Sequence, residues 1–141
     1  MSQPIFQKLP PVSDPRQEQT VLAACMVSPK AVADVAKVGL APSHFFVPAH
    51  RAVFKAICRL AQRNAPVEQV SVAHDLAESG SFEDEGLSHA LLAGWVAELP
   101  HAVGMDWHAK QIIELARRRN AMNDFGRRAI DAAGKPTLDA F

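Results

Sequence analysis

Several things this chain lacks narrow what it can be. It holds no run of about 18 apolar residues, so no segment is built to cross a bilayer. The opening MSQPIFQKLPPVSDP is broken by prolines and has no apolar stretch leading to a small-residue cleavage site, so it does not read as a secretory signal. Cysteine is nearly absent: Cys25 and Cys58 are isolated within apolar helical patterns, which suits reduced core thiols and a cytoplasmic setting. Neither GxxxxGK[ST] nor GxGxxG occurs, so no cradle for nucleotide phosphates is present. His44, His50, His74, His89, His101 and His108 are scattered without HExxH or paired CxxC spacing, so no metal set is expected. His50, in the first turn of a helix, reads as a structural hydrogen-bonding group. Ser71, Ser79 and Ser81 read as cap or loop residues, with no nucleophile elbow around them. Asp75/Glu78 and Glu83-Asp84-Glu85 read as solvated acidic faces and not as catalytic carboxylate pairs. The expectation is a chain that is not an enzyme, with no catalytic residue, no cofactor and no metal.

Lysine and arginine are also missing from one third of the chain. Residues 64–109 carry eight acids and no Lys or Arg, a net of −8. Residues 1–63 carry eight Lys/Arg against three acids, net +5, and residues 110–141 seven against four, net +3. The whole is therefore neutral, in three blocks of alternating sign, which suggests complementary surfaces within one chain or between copies.

What is present is a succession of helix signals with no alternating strand pattern, so the fold class is all-α. Residues 1–13 form a proline-rich arm. Asp14-Pro15 opens a first helix, with Asp as N-cap, Pro at N1 and Val21, Leu22, Cys25 and Met26 inward. Ser28-Pro29 repeats the signal for a short helix carrying Val32, Val35 and Val38, closed by Gly39. A loop then presents Phe45 and Phe46 to the core. Within the stretch Ser43–Arg63 the central amphipathic helix follows, with Pro48 in its first turn and its end near Asn64. Val53, Phe54, Ile57, Leu60 and Ala61 make its apolar face, and Arg51, Lys55, Arg59 and Arg63 a basic stripe. Val67 and Val70 belong to an extended connection, and Ser71 caps a helix with Val72, Leu76 and Ala77. Ser81–Gly86 is an acidic loop anchored by Phe82, and Leu87, Leu91, Trp95 and Leu99 line a further helix that Pro100 ends.

From about Met105 to Ala133 there is no proline, and Trp107, Ile112, Ile113, Leu115, Ala116, Met122, Phe125 and Ile130 are the apolar residues. A helix of about 29 residues would be about 43 Å long. A globule of about 100 residues is only about 34 Å across. The helix should overhang, leaving the globule near Arg117-Arg118-Arg119, where three successive side chains point about 100° apart. Gly126 could bend it, and Gly134-Lys135-Pro136 should break it, with Thr137–Phe141 starting a second helix. That reads as half a helical hairpin whose Met122, Phe125 and Ile130 need a second chain to cover them.

These residues also resemble a known family. DPRQEQTVLAACMVSP (Asp14–Pro29), HFFVPAHRAVFKAI (His44–Ile57), APVEQVSVAHDL (Ala65–Leu76), GSFEDEGLSHALLAGWVAELP (Gly80–Pro100) and HAKQIIELARRRN (His108–Asn120) are similar, in this order, to the N-terminal domain of bacterial replicative DNA helicases of the DnaB type. The similarity covers about residues 10–133. It implies a compact orthogonal bundle of about six helices, residues 14–104, followed by a helical hairpin that is incomplete here, residues 105–141. It further implies that hairpins pair heads into dimers and that dimers form a collar on a hexameric motor. The collar would receive the helicase-binding domain of primase, with a helicase loader as a further partner and DNA touched only weakly or indirectly. The ATPase motor of such a helicase, with its ATP and magnesium, has no counterpart in these residues.

The function expected is thus a non-catalytic collar domain acting in ring assembly and primase or loader docking, carried on an excised fragment. Arg117, Arg118, Arg119, Met122, Phe125 and Ile130 are its interaction residues. Two other readings stay open: a free-standing helical adaptor that mimics this domain, and a DNA-binding module using Arg117–Arg119 and the basic stripe.

Overall fold

Proline and a polar cap start the first two helices, as their sequence predicts. The structure, a computed structural model, describes the backbone of residues 12–139 and the side chains of residues 12–133. The expected arm therefore lies almost wholly outside the described residues, as do Ala140 and Phe141. Helix α1 (Pro15–Val27) begins where Asp14 Oδ1 accepts the Gln17 N–H at 3.1 Å. Ser28 closes α1 through its N–H to the Ala24 carbonyl at 2.9 Å. The same residue opens α2 (Pro29–Lys37) by accepting the Ala31 N–H at 3.2 Å. A 3-10 turn (Pro42–His44) leads into α3 (Pro48–Gln62), followed by α4 (Gln69–Glu78), α5 (Ser81–Asp84), α6 (His89–Glu98) and α7 (Met105–Asp139). No strand occurs among the described residues, and the fold is all-α.

The centre of the head is α1. Every residue from Val21 to Met26 is buried, and the helix packs against α2, α3, α4, α6 and α7. A helix that is apolar all round is an interior helix, so the run VLAACM carries more of the architecture than the amphipathic α3. Helix α3 still buries Val53, Phe54, Ile57 and Leu60, together with Ala56 and His50, while Ala61 faces solvent. Phe45 is 1% exposed and stacks on Phe54 with ring centroids 5.0 Å apart. Phe46, expected in the core, is 48% exposed. Its backbone is held instead: the Phe46 N–H donates to the buried Glu18.

Four more local expectations need correction. Helix α4 starts at Gln69, before Ser71. Ser71 lies in its first turn, where its hydroxyl accepts the Glu68 N–H at 3.0 Å and donates to the Pro66 carbonyl at 2.7 Å. This draws Val70 into the helix, on its solvent side. The acidic segment after Gly80 is not a loop but the single-turn helix α5, with Phe82 half-buried against the core. In α6 the inward pair is Leu92 and Trp95, not Leu91, because capping by Ser88 (Leu91 N–H to Ser88 Oγ, 3.0 Å) sets the helical register. The break expected at Gly134-Lys135-Pro136 does not occur, and helical backbone runs on to Asp139 without a second helix starting. A proline inside a helix forfeits its own N–H bond and crowds the carbonyl four residues earlier, here that of Ala132.

No helix among the described residues is long and apolar enough to cross a membrane.

Candidate interaction surfaces

Helix α7 spans about 52 Å at 1.5 Å per residue, and only its first part lies on the head. Met105, Ala109, Ile112 and Ala116 are at most 2% exposed and pack the helix onto the head, while Trp107, on the opposite side, is exposed. Beyond Arg119 the buried stripe stops. Met122 is 53% exposed, Phe125 77% and Ile130 73%. The overhang expected from the chain's length is therefore present and begins where the arginine triplet stands.

The three arginines divide their work. The Arg117 guanidinium donates to Glu114 through Nε at 2.9 Å and Nη2 at 2.6 Å, and Arg118 lies 3.4 Å from the same carboxylate. That pairing pulls the Glu114 carboxyl down to about 2, with the Arg117 hydrogen bond as its largest cause. Arg119 turns the other way. It donates to the Val12 carbonyl and the His44 carbonyl, both at 2.7 Å, and its guanidinium lies 5.3 Å from the centroid of the Phe46 ring. Arg119 therefore clamps the exit of α7 onto the 3-10 turn and the residues preceding α1. This explains why Phe46 stays outside: its ring serves as the platform for that cation.

The basic stripe of α3 is likewise partly used within the chain. Arg59 Nε donates to Asp75 Oδ1 at 2.9 Å, and Arg63 reaches the other oxygen of Asp75 at 3.4 Å. Asp75 is 5% exposed, a buried carboxylate spanning α3 and α4, not the solvated acid expected from sequence. Arg51 donates to the carbonyls of Phe45 and Phe46 at 3.1 Å each. Lys55 alone of the four makes neither an ion pair nor a side-chain hydrogen bond among the described residues. It stands in a cleft of about 290 Å³ between α3 and α5, with Arg51 and Arg59 beside it and Ser81 and Glu85 on the facing wall.

The feature that sequence reasoning missed is Glu18. It is 2% exposed, yet its carboxylate takes the Phe46 N–H at 2.8 Å, the Val47 N–H at 3.4 Å and His50 Nδ1–H at 2.8 Å. A side chain from α1 thus completes the start of α3, where Val47 supplies no cap of its own. The available signal was an acid embedded in a helix that otherwise turns apolar. His50, buried against the edge of Trp95, has the structural role expected of it. Its fellow histidines also have local partners: His44 accepts the Ala41 N–H, His108 the Gln17 amide and His101 the Val103 N–H, while His74 meets Glu78 and His89 packs on Phe82. No group of three or more metal-ligating side chains converges among the described residues. Cys25 and Cys58 are free thiols, and burial pushes Cys25 up to about 12, so it is an inert core residue.

A head of short helices with one long helix projecting from it is a specific arrangement, and known proteins share it. Residues 10–114 match the DnaB-like helicase N terminal domain. The chain belongs to that family. The replicative DNA helicase DnaB of Rhodothermus marinus is 30% identical over 88% of this chain, and that of Geobacillus stearothermophilus 32% identical over 81%. The crystal structure of the N-terminal domain of DnaB helicase from Mycobacterium tuberculosis superposes with a TM-score of 0.81 at 30% identity, covering 88% of this chain and 85% of that one. The chain spans only 13% and 24% of the lengths of the two DnaB helicases. The all-α DnaB N-terminal fold is thus what these residues encode, and the similarity extends past the matched segment into the projecting part of α7.

Proposed function

We propose that this domain is a non-catalytic collar element of a replicative DNA helicase, which pairs with a second copy through the projecting half of α7 and offers its head to primase or a helicase loader. The observation that carries the reading is the apolar stripe Met122, Phe125 and Ile130, left open to solvent on a helix whose first half buries one face against the head. Residues so spaced cover one face over more than two turns, and an uncovered stripe on a projecting helix is the surface that a copy of the same helix would bury. Dimers formed this way would be the unit of ring assembly, with ATP and magnesium belonging to a motor domain outside these residues and no cofactor held by this one.

DNA binding is the weaker reading. Arg59 and Arg63 are engaged by Asp75, Arg117 and Arg118 by Glu114, and Arg51 and Arg119 by backbone carbonyls, so of the basic stripe and the arginine triplet only Lys55 lacks such a partner among the described residues.

Two equally exposed positions supply the test. Phe125 is 77% and Val103 75% exposed. In a background with Cys25→Ala and Cys58→Ser, mild oxidation should cross-link Phe125→Cys chains into dimers and leave Val103→Cys chains monomeric. Equal cross-linking at the two positions would remove the pairing surface. Docking is measured by titrating the chain with the helicase-binding domain of a replicative primase in a calorimeter, where absence of heat would remove that half of the proposal.

A further inference from the structure

Arg51, Lys55 and Arg59 lie on one face of α3, four residues apart, so three cations are set along about 12 Å of helix. Like charges at this spacing cost a few tenths of a kcal/mol per pair. Within the chain that cost is offset at the two ends only. Arg59 is held by the buried Asp75 and Arg51 by two backbone carbonyls, while Lys55, between them, is exposed and forms no ion pair among the described residues. The two arginines are thereby fixed in orientation, and the lysine is left free at the centre of the cleft facing α5. Donors already held in place lose little freedom on binding.

We propose that this cleft is a docking groove for an acidic helical segment of a partner protein, with Lys55 as its central contact and Arg51 and Arg59 as flanking ones. A helix with carboxylates four residues apart repeats every ~6 Å, the same interval at which the three cations stand. The lining favours peptide over single-stranded nucleic acid, because no aromatic ring is there for a base to stack on. Glu85 on the other wall repels phosphate and glutamate alike, so it must face a cation or a neutral side of the partner helix. The groove refines the docking half of the proposed function and rests on it, and it is independent of pairing through α7.

The experiment uses a fluorescein-labelled synthetic helical peptide with glutamate at every fourth position, a matched peptide with lysine at those positions, and a single-stranded oligothymidine. Anisotropy titrations against the intact chain should show binding of the glutamate peptide alone, weakening as salt rises. Lys55→Glu should weaken it by about tenfold or more, and Lys55→Arg should retain it. Sedimentation of Lys55→Glu should match that of the unaltered chain, since Lys55 makes no contact that pairing or folding needs. Equal affinity for the glutamate peptide in the unaltered chain and Lys55→Glu overturns the groove. So does Lys55-dependent binding of the oligothymidine in place of the peptide. If the primase domain binds the unaltered chain and Lys55→Glu equally well while the glutamate peptide fails, the groove falls and the docking reading stands. If neither the primase domain nor the peptide binds, both fall.

Discussion

Ile112 and Phe125 belong to the same helix and to the same kind of apolar stripe, yet Ile112 is 1% exposed and Phe125 77%. The first half of α7 is a core helix of the head, closed over by α1 and α2. Beyond Arg119 the helix carries the apolar stripe Met122, Phe125 and Ile130 with no cover among the described residues. Arg119 stands at the border, with its side chain committed to the head side. One uninterrupted helix thus serves two purposes: its N-terminal half contributes to the stability of the fold, and its C-terminal half presents the stripe that we assign to a second copy.

The contrast is sharpest under truncation. Ile112→Ala empties a closed site and should cost about 2–5 kcal/mol, read as a lower urea midpoint in dilute solution. Phe125→Ala removes a larger side chain from an exposed position and should change the same midpoint by no more than about 0.5 kcal/mol. A comparable loss in both would mean that the second half of α7 folds back onto the head.

The border residue should give the next largest effect. Arg119→Ala removes two charge-assisted bonds to carbonyls and the cation over Phe46, and we expect about 1–2 kcal/mol. Faster hydrogen exchange should follow around the 3-10 turn. Arg117→Ala, whose exposed pair with Glu114 is screened by water, should be near neutral. If Arg117→Ala matched Arg119→Ala, the clamp assigned to Arg119 alone would be wrong.

Acid should have the smallest effect, and it acts on the head side of the contrast. His44 and His108 both lie below the ordinary 6.5, chiefly through burial, with Arg119 adding to the first and His101 to the second. Such a histidine stays neutral in the fold where the unfolded chain already takes up a proton. Its contribution is complete above 6.5 and is lost as pH falls through 6.5 towards the depressed values. The melting temperature should therefore begin to drop below about pH 6.5, and His44→Gln should flatten that slope. Glu114 acts in a separate window, from 4.5 down to about 2, and cannot account for a change near neutrality.

Local signals were readable where one residue decides the geometry. Asp14-Pro15 and Ser28-Pro29 each specify a cap and a first turn, and both helices start there. The overhang was readable because it follows from helix length against globule size. What escaped depended on contacts between distant segments. Asp75 reads as one more acid in an acidic block until α3 and α4 pack and bring Arg59 and Arg63 to it. Glu18 reads as a surface residue until the start of α3 arrives with unpaired N–H groups. The central place of α1 is inconspicuous for a different reason: an amphipathic period draws attention to α3, whereas the run Val21–Met26, apolar on all sides, has little period to notice. Of the interaction residues, Met122, Phe125 and Ile130 lie exposed on the overhang as the length argument requires. Arg119 is taken up by the head, which only its neighbours in space reveal.

Sedimentation equilibrium over a rising concentration series, on the unaltered chain and on Phe125→Ser with Ile130→Ser, tests the central claim most directly. The account predicts reversible association to a dimer or larger species in the unaltered chain and a monomer at every concentration in the double variant, with the two proteins equally stable to urea in dilute solution. A monomer throughout for the unaltered chain, or association that survives both substitutions, would contradict it.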